Sequence, residues 1–236
     1  MASPEPTPLA YFSLTHVHYN PNDPISYISA FLALAPQALC VIYVTLIWAT
    51  REIEVFLMFV GQMACETLNF GLKRWIREER PKYMHGKGYG MPSSHAQFVA
   101  YFSVYLSLFL LIRHSPTTAT SQHSFTFLQR VGISILACLG ASAVSASRLY
   151  LNYHTQKQVL FGCAFGALFA LFWFSVTSAL RNHGWIQWGL DQRISRALRV
   201  RDLVVREDFS EAGWQRWEHL QKLNQREDKD NLRKVQ

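Results

Sequence analysis

From Gln158 to Leu180 the chain reads QVLFGCAFGALFALFWFSVTSAL, with no Asp, Glu, Lys or Arg along the way. A helix crossing the hydrocarbon core of a bilayer needs roughly 20 predominantly apolar residues, so this stretch can span by itself. Inside lipid every backbone N–H and C=O must find its partner within the protein, which leaves helix as the form of a single apolar segment. The pattern recurs on either side. No Asp, Glu, Lys or Arg occurs from Pro24 to Thr50, from Gly88 to Ile112 or from Val131 to Ser147, and the block Val55 to Leu72 is interrupted only by Glu66. Five spans are expected, at about 26–49, 54–73, 96–113, 129–149 and 157–180.

The composition supports this reading. Of the 236 residues, 50% are hydrophobic and 17% charged, where a soluble domain carries about 25% charged. So much apolar surface excludes a disordered chain. Cys40, Cys65, Cys138 and Cys163 each fall in a different expected span, which suits small packing residues and neither a disulfide framework nor a Cys/His zinc site. The net charge of +7 is spread between the apolar blocks and the tail, not along one stripe, so no nucleic acid is expected as a partner. The architecture expected is an all-α polytopic transmembrane helix bundle of about five spans. Residues 1–25 form an N-terminal segment, 26–180 the membrane core and 181–236 a polar tail, helical or partly disordered, with Trp214 and Trp217 set among charges. The first 23 residues carry no Lys or Arg and so lack the basic start of a cleaved signal peptide. The Ser/Thr-rich 114–126 stretch reads as a loop.

Three segments at the ends of spans carry chemistry. The first is Lys73-Arg74-Trp75-Ile76-Arg77-Glu78-Glu79-Arg80-Pro81 with Lys82; taken alone it is equally a basic membrane flank whose side chains snorkel to the interface. The second is Gly86-Lys87-Gly88-Tyr89-Gly90-Met91-Pro92-Ser93-Ser94-His95. Its glycines allow close backbone approach, and its serines open a helix whose free N–H groups attract anions. An ordinary glycine turn with a serine cap reads just as well. The third, Ser147-Arg148-Leu149-Tyr150-Leu151-Asn152-Tyr153-His154 with Gln158 beyond, combines an arginine, a histidine and an amide at i+4; a lone histidine here would be an interfacial packing residue. If the spans alternate in direction, all three segments meet at one membrane face. Lys73, Arg80, Arg148, His95, His154, Ser93 and Ser94 then describe a site for a multiply charged oxyanion. No carboxylate cluster accompanies them to hold Mg²⁺, so neither a metal nor another cofactor is expected. One histidine can attack and the other can donate a proton, which is phosphoryl transfer.

Read together, K-x6-R-P at Lys73…Arg80-Pro81, P-S-x-H at Pro92-Ser93-Ser94-His95 and S-R-x5-H at Ser147-Arg148…His154 resemble the three motifs of the membrane-bound type 2 phosphatidic acid phosphatase superfamily. Leu14-Thr15-His16-Val17, Tyr89-Gly90-Met91 and Tyr153-His154-Thr155 with Gln158-Val159-Leu160 are similar to its branch that acts on dolichyl diphosphate, over roughly residues 13–180. The resemblance implies that Lys73, Arg80 and Arg148 hold phosphate oxygens, completed by Ser93 and the backbone around Ser94. It implies His154 as the nucleophile and His95 as the proton donor, with a polyprenyl (dolichyl) diphosphate lipid as substrate in the endoplasmic reticulum membrane. Preorganised donors around equatorial oxygens suffice for such a reaction. The broader superfamily has an aspartate four residues after the nucleophilic histidine, where this chain has Gln158. That side chain can accept a hydrogen bond from His154 if the segment is helical, and Gln158→Ala is expected to cost ~10–100-fold, as loss of an orienting partner does. Two alternatives remain: a phosphatase for phosphatidate or another lipid monophosphate, and a non-catalytic lipid-binding protein, whose mark would be a missing histidine. A soluble vanadate haloperoxidase shares the anion site, but five apolar spans argue against it.

Away from the motif face stand Arg51, Arg113, Arg130, Arg181, Arg193, Arg196 and Arg199. The positive-inside tendency places that side and the 181–236 tail in the cytosol, and the 1–25 segment and the active site in the lumen. The terminal Arg233-Lys234 reads either as a dilysine-type retrieval signal or as an exposed charged end. Glu66 inside the second span reads either as a site residue or as an interhelical hydrogen-bonding acid.

Overall fold

The computed structural model describes residues 10–12, 17–81, 88–115, 125–207, 213–214 and 216–225, with side chains from Val17 onward. Residues 14–16, 82–87, most of the 114–126 loop and the basic pair near the C-terminus lie outside the described residues. Among the described residues, five helices are long and apolar enough to cross a membrane: Pro24–Thr50, Ile53–Ile76, Ser94–Arg113, Phe127–Tyr150 and Gln156–Asn182. Each expected span falls inside one of them, and the chain is a multi-pass membrane protein. Outward residues such as Trp48, Leu136, Leu160 and Phe172 are exposed; faces this apolar are lipid-facing surface, since in water they would aggregate.

The first span is interrupted. Helix α1 (Pro24–Leu32) ends and α2 (Ala35–Thr50) begins across Ala33 and Leu34. Pro36 explains the break, because it offers no N–H to the Leu32 carbonyl and its ring crowds that position. Helix α3 (Ile53–Ile76) follows, then α4 (Ser94–Leu108), whose last turn widens into a π-helix at Phe109–Arg113. Helices α5 (Phe127–Tyr150) and α6 (Gln156–Asn182) complete the bundle. A two-stranded antiparallel ribbon, β1 (Ala10–Phe12) with β2 (Val17–Tyr19), precedes it, and its Val17 packs with Ala30 and Ala33 of the first span against Leu151 and Tyr153.

Helix α4 is the central span. Its Tyr101 and Tyr105 form a buried cluster with Tyr43, Met58, Cys65 and Ala170, and their hydroxyls donate to Met58 O (3.1 Å) and Glu54 Oε1 (3.1 Å), since a buried hydroxyl without a partner is costly. Helix α6 lies close against α4 because Gly162 and Gly166 present no side chain. A Cβ would sit 2.7 Å from Ser93 O at the first and 2.3 Å from Gln97 O at the second, which is small-residue packing of membrane helices.

Among the described residues after α6, part is helical and part docks on the bundle. Helices α7 (Trp185–Leu190) and α8 (Arg193–Ala197) lead into a segment that docks on the end of the bundle opposite the three motif segments. There Arg201 N donates to Arg51 O and Ile53 N to Arg201 O, and Glu52 accepts from Leu203 N and Val204 N (2.8 and 3.1 Å). Residues 216–225 are helical.

Candidate active site

Each motif is brought to the same membrane face by the end of a helix. Lys73 occupies the last turn of α3, which closes on Arg77 in the left-handed conformation with Arg77 N bonded to Lys73 O. The chain then runs back past Glu78, whose carbonyl accepts from Gly90 N at 2.8 Å. Ser93 is the N-cap of α4, but its hydroxyl does not cap the helix; it is fully buried and without a hydrogen-bond partner. An open helix N-terminus with an unused hydroxyl is a ready anion cradle. At the end of α5 Asn152 takes a left-handed φ of 55°, which asparagine tolerates. The turn closes as a Schellman motif, with Tyr153 N on Arg148 O at 3.0 Å and Asn152 N on Leu149 O at 2.9 Å, and His154 N also reaches Arg148 O at 3.3 Å. This reversal is why the arginine and histidine must be six residues apart.

The side chains of the three segments lie near one another at this face. Arg148 is 2% exposed; its Nη2 donates to Ser29 O (3.0 Å) and to Ser147 Oγ (3.1 Å). Lys73 Nζ donates to Ser94 Oγ at 2.5 Å, and Ser94 Oγ donates to Asn69 Oδ1 at 2.9 Å. Arg80 packs its Cγ beside Gly90 and acts electrostatically on His154. His95 Nε2 meets the Ala33 carbonyl at 3.1 Å, which leaves Nδ1 as the nitrogen able to exchange a proton with a ligand. Arg148, Lys73 and His154 all lie within electrostatic reach of His95.

His154 is the best defined member. Its Nδ1 faces two acceptors, Gly90 O at 2.9 Å and Gln158 Oε1 at 3.2 Å. Two acceptors at one nitrogen place the proton there and leave the Nε2 lone pair free. Burial, with the Arg80 charge second, pushes the imidazole down to about 4, because both disfavour the cationic ring. Gln158 has a second role: with Thr155 it forms the capping box that starts α6, so part of its presence is explained by helix initiation alone. Its Nε2 donates to Glu79 O (2.8 Å) and to Glu78 Oε1 (3.2 Å).

Several partners were invisible in the sequence. Gly90 and the first-span carbonyls Ser29 O and Ala33 O act through main-chain atoms, which leave no residue-type signature. Asn69 and Gln97 could have been found, since an amide inside a span must be paired; Asn69 Nδ2 donates to Gln97 Oε1 at 2.8 Å and Gln97 Nε2 to Cys65 O at 2.9 Å. Glu66 lies on the same face of α3 as Asn69 and Lys73, and its Oε2 is buried without a hydrogen-bond partner. Among the described residues no group of three or more His, Cys, Asp or Glu could hold a metal ion.

Gly90 is small for a stated reason. A Cβ there would meet Gln158 Nε2 at 2.7 Å, Oε1 at 2.8 Å and Arg80 Cγ at 3.0 Å. Gly90→Ala must displace the amide that orients His154, and it is expected to cost turnover at least ~10-fold, the size of losing an orienting partner. The thermal midpoint should shift little, and a variant as active as wild type would contradict this contact.

The comparisons with known proteins agree with the geometry. Residues 54–182 match the sequence profile described as the PAP2 superfamily. A Neurospora crassa protein, provisionally named a dolichyldiphosphatase, is 48% identical over 94% of this chain and 95% of its own. The Saccharomyces cerevisiae dolichyldiphosphatase is 31% identical over 94% of this chain and 93% of its own. The human dolichyldiphosphatase 1 is 39% identical over 70% of each chain. Among solved structures, a transmembrane PAP2 type phosphatidylglycerolphosphate phosphatase from Bacillus subtilis superposes with a TM-score of 0.53 at 20% identity, over 68% of this chain and 80% of that one.

Proposed function

The chain belongs to the PAP2 superfamily, and from that premise we propose that it hydrolyses dolichyl diphosphate to dolichyl phosphate and inorganic phosphate through a phosphohistidine on His154, without a metal ion. Support for the substrate comes from the names of relatives that align over nearly their whole length. The observation that carries the mechanism is the pair of acceptors at His154 Nδ1, beside the open N-terminus of α4 and three cations.

In this reading Lys73, Arg80 and Arg148 hold the terminal phosphoryl oxygens, with the Ser93 hydroxyl and the N–H groups near Ser94. The His154 Nε2 lone pair attacks the terminal phosphorus and the bridging P–O bond breaks. Its electrons leave with dolichyl phosphate, which His95 protonates. Nδ1 keeps its proton while the ring becomes cationic, and the Gly90 carbonyl and Gln158 amide stabilise that charge less than a carboxylate would. A readily departing phosphate ester makes this sufficient. Water then cleaves the phosphohistidine and releases phosphate. Arg148 and His95 hold main-chain carbonyls of the first span, so His95 meets the ligand through Nδ1, which carries the proton passed to the leaving group.

The decisive assay offers dolichyl diphosphate and phosphatidate to the purified protein in detergent with EDTA present. Faster turnover of the diphosphate is expected; preference for phosphatidate would replace the substrate, and turnover of neither would favour a lipid-binding role. We further propose a place in the endoplasmic reticulum membrane with the site facing the lumen, returning the carrier lipid used in protein N-glycosylation. A glycosylation sequon inserted at 116–122 should then stay unmodified, and modification would reverse the orientation.

The pH dependence of the nucleophile has a definite sign. An imidazole lowered to about 4 stays neutral, and competent to attack, as the pH falls below the usual value of about 6.5. The unliganded His154 ring, followed by NMR against a His154→Ala control, should titrate near pH 4. A midpoint near 6.5 would show that burial and Arg80 do not govern it.

A further inference from the structure

We propose that Glu78 is the positioning carboxylate of this site, acting on His154 through the Gln158 amide. The inference rests on the phosphohistidine reading for its kinetic consequences, though not for its geometry. Both acceptors at His154 Nδ1 lead back to Glu78. Gln158, whose Oε1 accepts from Nδ1, donates its Nε2 to Glu78 Oε1 (3.2 Å) and Glu79 O (2.8 Å). Gly90, whose carbonyl accepts from Nδ1, is held by its own N–H on Glu78 O at 2.8 Å. Lys157 Nζ fixes the other carboxylate oxygen at 2.8 Å, and that bond holds Glu78 below the usual carboxylate range and therefore ionised.

The consequence is a relay: His154 Nδ1–H to Gln158 Oε1, then Gln158 Nε2–H to Glu78 Oε1. An anion on the donor end of an amide polarises it, so its oxygen becomes a stronger acceptor. As Nε2 forms its bond to phosphorus and the ring turns cationic, that oxygen faces the growing charge. A carboxylate one bond away thereby serves the ring where Gln158 stands in place of an acid. Glu78 is partly solvent-exposed and its pair with Lys157 is a surface contact of little strength. Its effect is expected on the geometry and polarity of the relay, not on stability.

Exchange of the two residues separates this from a structural role. Glu78→Gln keeps an acceptor for Gln158 but removes the charge, and Gln158→Glu sets two carboxylates against each other. Each single variant is expected to lower kcat about tenfold, with KM changed less than threefold, since neither residue touches the phosphate. The double variant Glu78→Gln/Gln158→Glu restores a donor–acceptor pair and puts an acid on His154; it should recover to within threefold of wild type. Such recovery is an interaction between neighbours that independent sites do not show. Wild-type kcat in Glu78→Gln, or a double variant no faster than the slower single, would overturn the proposal. The tautomer of His154 is read separately from its ¹⁵N imidazole shifts without substrate. It should be Nδ1–H in the wild type and mixed in Glu78→Ala; an unchanged tautomer would also overturn the proposal. This second measurement stands even if dolichyl diphosphate proves to be the wrong substrate.

Discussion

His154→Ala is expected to abolish turnover, by on the order of 10⁴-fold or more, together with any acid-labile phosphoenzyme. Removal of a covalent nucleophile takes away the reaction path itself, where loss of a neighbour removes only a share of transition-state stabilisation. No described residue can substitute for it. His95 has its Nε2 engaged by Ala33 O and sits on α4, whereas the free nitrogen of His154 is set by two acceptors on its far side. His95→Ala should instead slow the step in which the leaving group takes up a proton. Radiolabelled diphosphate substrate, a rapid quench and mapping of the label test both roles at once. A label on His95, or a His154→Ala protein that still turns over, would exchange or remove the assigned roles.

Glu54→Ala should produce the largest loss of stability, and it lies at the opposite membrane face. Glu54 is 3% exposed at the start of α3. It accepts from Arg113 Nη1 and from Arg181 Nη2 (2.7 Å), and Arg181 also pairs with Asp202. Arg113 reaches further, to Phe174 O (3.0 Å), Thr177 Oγ1 (2.9 Å) and Ser178 Oγ (2.7 Å). The carboxylate therefore ties α3 to the π-helical end of the α4 span, to α6 and to the docked segment after it. Deleting it leaves two guanidinium groups with too little compensation, and breaking a buried pair costs about 3–5 kcal/mol. Thermal unfolding in detergent should show a clear fall in Tm for Glu54→Ala and also for Glu54→Gln, which keeps the shape but not the charge. The specific activity of the remaining folded protein should be unchanged, because the site is at the other face. A Tm within error of wild type would mean that the network is not a structural clamp.

That network also bears on the charge reading. Arg113 and Arg181 counted in the sequence only as cytosolic-side cations, yet both are engaged within the fold. Their pairing with Glu54 does not alter the positive-inside argument, since Arg51, Arg130, Arg193, Arg196 and Arg199 remain on that side, but it shows that charge counts mix topological with structural residues.

What the sequence determined by itself was whatever depends on local composition. An apolar run of sufficient length must be a helix in lipid, so the five spans were legible to within a few residues at each end. Alternation of direction then placed Lys73, Ser93, Ser94, His95, Arg148 and His154 at one face, whereas the first span was expected unbroken and its interruption before Pro36 emerged only in the fold. Tertiary structure alone decided which atoms do the orienting. Gly90 O, Ser29 O and Ala33 O are main-chain groups, and any residue would offer the same carbonyl. Glu78 read as one charge in a basic flank until the return of the chain at Gly90 brought it under Gln158. Glu54, Arg113, Arg181 and Asp202 lie far apart in sequence and meet only because three helix ends and the docked segment close on one another. Hydropathy is a property of a segment, whereas a hydrogen bond between distant residues requires that both segments be placed, and placement comes from the packing of α4 against α3 and α6.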